Sequence, residues 1–403
     1  MKRYDFRTLF QGLLPLFIVA HFGHHVVGAM LRPLMPMIRT DLGISYTQVG
    51  VIISAFAVTS GISQLPAGWL ADRFGPRVMV AIGVTGVAIA GVLIGLSQSY
   101  SLLIAFLVLA AILGGGYHPA AAAAISASAS PVRRGRALGF HLIGGSSSFW
   151  IVPLLAAPIA VAWGWRSSYI TLTVPIIILG VVLYVLIGRR IRIQRSESQT
   201  PDGEVSTTPD RIRWRQLAPF LVMSVATGTM VQSVLAYLSL YAVDHFGVAE
   251  TTAAALVAIA PAVGLFAAPL GGYLSDRLGG VPVLVSLSFL AVPLIYLLGV
   301  VPNIPLLAAV MVAIGVVTNT RMPTSESYIV GHAPKHRRST ILGLYFFAGA
   351  EMAGLLTPVM GYLIDRFGFY SSFTIATAIL APVTVVCSLL LWRNRRRERT
   401  HPM

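Results

Sequence analysis

Apolar residues run along this chain in stretches of twenty or more, separated by short polar breaks, and the stretches carry no two-residue alternation. The segment LLIAFLVLAAILGG, Leu102 to Gly115, is representative. A bilayer core about 30 Å thick is crossed by roughly 20 helical residues, whereas a barrel strand needs about 10 that alternate. The pattern therefore predicts an all-α integral membrane protein with twelve transmembrane spans. They fall near 9–38, 45–71, 78–98, 101–129, 137–162, 167–188, 216–243, 250–275, 281–300, 304–331, 340–364 and 370–392.

The longest polar interruption is RRIRIQRSESQTPDGEVSTTPDRIRWR, residues 189–215. Rich in Ser, Thr, Pro and charge, it lacks the apolar surface to fold by itself and reads as a linker. It divides a bundle of six spans, 1–188, from a second bundle of six, 216–392, which a basic tail, 393–403, follows. A shift of 204 residues superimposes the two. Pro15 falls on Pro219, Gly43 on Gly247, Asp72 and Arg73 on Asp276 and Arg277, Pro119 on Pro323, and Gly164 on Gly368. Like halves around a central site suit a transporter that exposes the site to each side in turn.

Composition agrees. Of 403 residues, 56% are hydrophobic and 11% charged, with a mean hydropathy of +0.79. A net charge of +15 would point to nucleic acid in a soluble chain, but here 24 of the 29 Lys and Arg residues collect on the side that holds both termini and the linker. Positive residues mark the cytoplasmic face, so the expectation is a multi-pass protein of the cell (inner) membrane with both termini inside, and no nucleic-acid partner. Lys2, Arg3 and Arg7 precede a first apolar run too long and too polar for a signal peptide, so it is read as a retained helix. One cysteine, Cys387, allows no internal disulfide and no cysteine metal site. A phosphate-binding Gly-Lys-Ser/Thr loop is missing, so the expected energy source is an ion gradient and the chain is not read as an enzyme. No cofactor is implied, and the expected working unit is a monomer.

GWLADRFGPR, Gly68 to Arg77, resembles the signature loop between the second and third helices of the major facilitator superfamily, and GYLSDRLGG, Gly272 to Gly280, resembles its second-half copy. The resemblance covers essentially the whole chain. It implies the major facilitator fold, two pseudosymmetric six-helix bundles. It also implies a gating role for Asp72, Arg73, Arg77, Asp276 and Arg277, against the plainer reading of a tight turn with basic flanks. A second likeness is to fosmidomycin-resistance-type drug exporters: a histidine early in the first span, GGGYHPA at Gly114 to Ala120, and GFHLIGG opening the fifth span. The chain departs from them where HFGHHVVGAMLRP lacks an acidic ending and GGSSSFWIVP lacks the Gly-Pro pair typical of antiporters.

Ionisable groups within spans are costly, about 2.5–3.5 kcal/mol on insertion scales, and so are functional candidates. In AHFGHHVVGAMLRP, His25 and Arg32 lie about 40° and 20° from His21 around a helix and His24 about 60° to the other side, forming one polar stripe. Histidine titrates near neutrality and can carry a proton, while arginine grips a carboxylate or phosphate through two bonds. Either the stripe lines a substrate cavity, or the histidines bond neighbouring helices and Arg32 snorkels outward. Metal binding is disfavoured, since no adjacent carboxylate or cysteine completes a ligand set.

Arg321 is a second candidate anion contact, or else half of a buried ion pair with Glu351 or Glu326. On one helix Glu326 sits about 140° from Arg321, while Ser325 and Tyr328 share its face. Glu351, among glycine, alanine and leucine, is the principal proton candidate, with Glu326 and His25 beside it; a structural salt bridge is the alternative. His118, His141, Ser148, Gln232, Tyr237 and Tyr241 complete the substrate-binding candidates, each also explicable as packing.

The resulting expectation is a proton-coupled secondary transporter of a small anionic or zwitterionic organic molecule, with drug or metabolite export the first reading. Proton-coupled uptake of an organic carboxylate is the alternative, with sodium as the other ion. A receptor that signals without transport is the remote one, for which the linker and tail are too short to supply a signalling domain.

Overall fold

A computed structural model describes residues 13–128, 134–195, 214–332 and 338–400. Among them all regular structure is helical, as expected where lipid offers backbone groups no partner. In chain order the helices are α1 Leu14–Leu31, α2 Met35–Leu42, α3 Tyr46–Ala81, α4 Val87–Gly95, α5 Tyr100–Gly114, α6 Tyr117–Ser128, α7 Arg134–Trp163 and α8 Trp165–Arg195. The second half adds α9 Trp214–Leu235, α10 Leu238–Phe246, α11 Glu250–Leu278, α12 Gly280–Val300, α13 Ile304–His332 and α14 Arg338–Thr400. A π-helical stretch, Ile82–Gly86, joins α3 to α4.

Among the described residues eleven stretches are long and apolar enough to cross a bilayer. The last, Phe347–Asn394, turns at Gly368 and holds the eleventh and twelfth expected spans. Large apolar side chains such as Phe266, 80% exposed, and Leu65, 68% exposed, stand on the surface, where lipid would cover them. Among the described residues the sole cysteine is buried and free.

The structure corrects several boundaries. Pro33 lacks an N–H and ends α1, so the first span breaks at Arg32 to Leu34 before α2 resumes. The seventh span breaks at Ala236 and Tyr237, the repeat-equivalent place, without a proline. The fourth span breaks at Gly115 and Gly116, while α13, its repeat counterpart, is continuous. At the polar ends, α8 runs on to Arg195, into the stretch read as linker, and α14 runs to Thr400, into the tail.

The repeat is written in the backbone as well. Among the described residues the positive-φ positions are six glycines, in three pairs 204 residues apart: Gly43 (φ 62) with Gly247 (φ 66), Gly75 (φ 77) with Gly279 (φ 85), and Gly164 (φ 83) with Gly368 (φ 72). These are conformations that side chains with a Cβ resist.

The chain forms two compact units. The first comprises residues 1–43, 55–203 and 249–258, and the second residues 44–54, 204–248 and 259–403. The exchanged stretches, 44–54 and 249–258, are the N-terminal ends of α3 and α11 and are themselves repeat-related. Within the first unit α1 packs along α7 and α4 along α8. Glycine makes the α1–α7 approach possible: a Cβ on Gly145 would lie 2.6 Å from the His21 ring, and one on Gly144 would strike the Ile18 carbonyl. In the second unit α9 packs mainly on α14.

Candidate functional site

In the first unit α1, α6 and α7 bring five histidines together. α1 supplies His21, His24 and His25; α6, restarting after the Gly115 and Gly116 break, supplies His118 in its first turn; α7 supplies His141. His21 and His141 are buried, and the other three are half-buried. His21 stacks on His141 with centroids 4.1 Å apart, and His24 stacks on Tyr117 at 4.4 Å.

Backbone carbonyls fix three of the tautomers. His21 Nδ1 lies 2.8 Å from the His141 carbonyl, His24 Nδ1 2.8 Å from the Gly83 carbonyl, and His141 Nδ1 3.1 Å from the Phe17 carbonyl. A carbonyl oxygen only accepts, so each Nδ1 carries the proton and each neutral ring keeps its Nε2 lone pair. His25 Nε2 sits 3.1 Å from His21 Nε2. The Tyr117 hydroxyl donates to the Phe17 carbonyl at 3.1 Å, tying α6 to the same turn of α1. Ser148 donates to the Gly145 carbonyl one turn back in α7, at 2.6 Å. The expected stripe is thus one wall of a cluster. Arg32, the first residue past α1, keeps helical torsions and is half-buried.

In the second unit α13 carries Arg321 against α9. Its Nη1 donates to the Ser224 carbonyl at 3.0 Å, to Ser224 Oγ at 2.9 Å and to the Tyr345 hydroxyl at 2.8 Å. Ser325 bonds Ser224 at 2.7 Å and Tyr328 stacks on Phe220 at 3.9 Å, so the expected shared face of Arg321, Ser325 and Tyr328 is the one that meets α9. A Cβ on Gly228 would lie 2.5 Å from Arg321 Nη2, so only glycine lets the guanidinium lie so close to α9. Among the described residues no ion pair joins Arg321 to Glu326 or Glu351. The Arg321 Nε and Glu351 Oε1 atoms are buried without a hydrogen-bond partner.

Other candidates fall elsewhere. Tyr237, in the α9–α10 break, donates to the Thr357 carbonyl at 2.8 Å and the Tyr46 carbonyl at 3.1 Å. Tyr241 is buried and stacks on His245, and Gln232 is half-buried in α9. Of the gating candidates, the Asp72 side chain lies outside the described residues and Arg73 is exposed. Arg77 donates to the Tyr184 carbonyl at 2.8 Å and lies 3.8 Å over that ring. Asp276 and Arg277 are exposed, with Arg277 lying 4.8 Å over the Tyr273 ring.

Sequence reasoning missed the groups that hold these side chains. Ser224 and Tyr345 anchor Arg321 from two other helices, and Asp365 accepts from the backbone N–H groups of Tyr46 and Thr47 at 3.0 and 2.8 Å. No local signal marks such partners, since 97 and 24 residues separate Ser224 and Tyr345 from Arg321. The nearest clue was the DRFG run that starts at Asp365, which repeats the signature-loop sequence of Asp72 to Gly75.

The Major Facilitator Superfamily pattern matches residues 17–358 and, again, 244–402. Among curated relatives, a multidrug resistance protein MdtG of Dickeya zeae (strain Ech586) is 27% identical over 399 residues, covering 94% of each chain. Among solved structures, a bacterial homolog of the human lysosomal transporter Spinster, inward-facing and occupied, superimposes with a TM-score of 0.77 at 16% identity over 98% of each chain. A POT family transporter in complex with 5-aminolevulinic acid gives 0.78 at 15% identity, over 94% of this chain and 96% of that one. With its helical membrane-spanning architecture and its repeat, the chain belongs to the Major Facilitator Superfamily and is a multi-pass membrane transporter rather than an enzyme.

Proposed function

We propose that this transporter moves a small organic anion or zwitterion against its gradient by alternating access, driven by protons. The observation that carries the anion reading is the guanidinium of Arg321. Three hydroxyl and carbonyl bonds fix one of its nitrogens, Nε is buried without a hydrogen-bond partner, and among the described residues no carboxylate stands within ion-pair distance of it. A charge held by neutral oxygens keeps its pull on a negatively charged ligand, and a planar donor pair suits a carboxylate or phosphonate. Arg32 and the half-buried histidines of the first unit are the corresponding candidates there. Glu351, with one carboxyl oxygen buried and unpartnered, is the proposed proton carrier, and Glu326, half-buried in α13, is its second.

Export is the direction proposed first, from the 27% identity to a multidrug resistance protein over nearly the whole chain. The excess of Lys and Arg on one side supports cytoplasmic termini in an inner membrane. We take residues 1–188 and 216–392 as the two moving bundles and Asp72, Arg73, Arg77, Asp276 and Arg277 as gate residues.

The test is flux in proteoliposomes holding the purified monomer, with radiolabelled carboxylates and the phosphonate fosmidomycin, under pH gradients of either sign. Movement of an anion that reverses with the gradient supports the reading, and its sign separates antiport from symport. A folded protein that moves none of them under either gradient, or whose flux is unchanged in Arg321→Ala and Glu351→Gln, overturns it.

A further inference from the structure

His21, His25 and His118 offer three of the four ligands of a tetrahedral arrangement. One ring nitrogen from each lies within 4.8 Å of the other two, and the Nε2 atoms of His21 and His25 are 3.1 Å apart. Three ligands of a tetrahedral ion bound at 2.0–2.1 Å stand about 3.3 Å apart. The remaining spread, at most 4.8 Å, is what the His118 ring would have to close on binding an ion. His118 sits in the first turn of α6, beside the Gly115 and Gly116 break.

The protonation pattern suits a cation. His21 donates Nδ1–H to the His141 carbonyl, which turns its Nε2 lone pair toward His25. A ligating histidine characteristically gives its other N–H to a carbonyl, fixing both tautomer and ring angle. His21 is further clamped by stacking on His141 at 4.1 Å and by the absence of a side chain at Gly145. Two neutral imidazoles whose Nε2 atoms face each other must either share one proton or share a positive ion.

We propose that His21, His25 and His118 form a binding site for a late first-row divalent cation, Zn2+ or Ni2+, with the fourth position open. The donor set decides the metal class: imidazole suits zinc, nickel and copper, whereas magnesium and calcium require oxygen. His21 is 3% exposed while His25 and His118 are only half-buried, so the ion is anchored from the protein side and open on the other. A doubly charged ion among uncharged rings lacks compensation, so an anion's oxygen is the natural fourth ligand. That last step joins the site to the anion reading above, but metal binding itself does not depend on it. The stripe on α1 has no neighbouring carboxylate or cysteine to complete a ligand set; the third donor comes from another histidine, 93 residues beyond His25.

The experiment uses the full chain in detergent, purified through a tag without histidine. Isothermal titration with ZnCl2 and NiCl2 measures stoichiometry and affinity, and Co2+ reports geometry through the visible bands of a tetrahedral complex. One ion per chain is expected. Binding should weaken at least about tenfold in His25→Gln and in His118→Gln, since loss even of an outer partner commonly costs 10–100-fold. His332→Gln, in the second unit, should bind as the unaltered chain does. Should His118→Gln not fold, His25→Gln and the Co2+ spectrum of the unaltered chain decide. No binding, binding indifferent to both substitutions, or a six-coordinate Co2+ spectrum overturns the proposal. Anion flux without metal binding overturns it and leaves the transport reading standing; metal binding without flux does the reverse.

Discussion

Asp365 holds Thr47 twice, through the backbone amide at 2.8 Å and the hydroxyl at 2.5 Å, while its other oxygen takes the Tyr46 amide at 3.0 Å. Those amides open α3, so a carboxylate from α14 caps the positive end of a helix whose first residues, 44–54, belong to the second unit. Tyr46 adds its own hydroxyl to Asp244 at 2.5 Å. Asp365→Asn keeps the shape and removes the charge. The expected loss is about 0.5–1 kcal/mol, read as a lowered thermal midpoint in detergent, and greater at low salt than at high salt. An unchanged midpoint in both salts would show that the charge contributes nothing.

Close packing at the same place gives a second prediction. A Cβ on Gly50 would lie 2.6 Å from Pro358 Cα, and one on Gly361 would strike the Tyr46 carbonyl. Backbone cannot swing away as a flexible side chain can, so Gly50→Ala and Gly361→Ala should each cost about 1–3 kcal/mol. Gly349 has open space around its Cβ position. Gly349→Ala should be neutral or stabilising by up to about 1 kcal/mol, and the three midpoints measured together check the ordering.

The positive-φ glycines separate into two kinds. Gly43 (φ 62, ψ 33) and Gly247 (φ 66, ψ 23) are left-handed helix caps, a conformation asparagine tolerates. Gly75 (φ 77, ψ 161) and Gly368 (φ 72, ψ 174) occupy a region that is essentially glycine's alone. Gly43→Asn should therefore be milder than Gly43→Ala. At Gly75 both substitutions should be costly, about 1–3 kcal/mol. Equal effects of asparagine and alanine at Gly43 would contradict the cap.

Arg321 and Tyr345 should behave as a coupled pair. Tyr345→Phe removes a hydroxyl bonded to Arg321 Nη1 at 2.8 Å and to Ser224 at 2.9 Å. A bond to a charged group is worth about 1.5–3 kcal/mol. A cycle with Arg321→Met and the double variant, followed by thermal unfolding, should show non-additivity above about 0.5 kcal/mol. Additive effects would place the two outside one network.

The major facilitator fold was legible because its causes are local and repeated. Twenty apolar residues in lipid have few choices besides a helix, and the pairing of Gly75 with Gly279 at an offset of 204 was visible in the sequence before any torsion angle. The candidate site was only half legible. Angular position on α1 placed His21 and His25 on one stripe, because helical periodicity is a property of one segment. Nothing in that segment could say that α6 would bring His118 to them, nor that Arg321 would find Ser224 and Tyr345 rather than a glutamate.

What the sequence determined by itself was the helical, membrane-spanning character of the chain, the doubling of its pattern at an offset of 204, and which polar groups fall within apolar stretches. The tertiary structure alone decided the breaks after Leu31 and Leu235, the tautomer of His21 and the partners of Asp365. Hydrophobic length and backbone hydrogen bonding act within a segment, so one segment's sequence suffices to read them. A side-chain partner is chosen by packing between helices tens or hundreds of residues apart, 319 in the case of Asp365 and Tyr46, and only the assembled bundle specifies that choice.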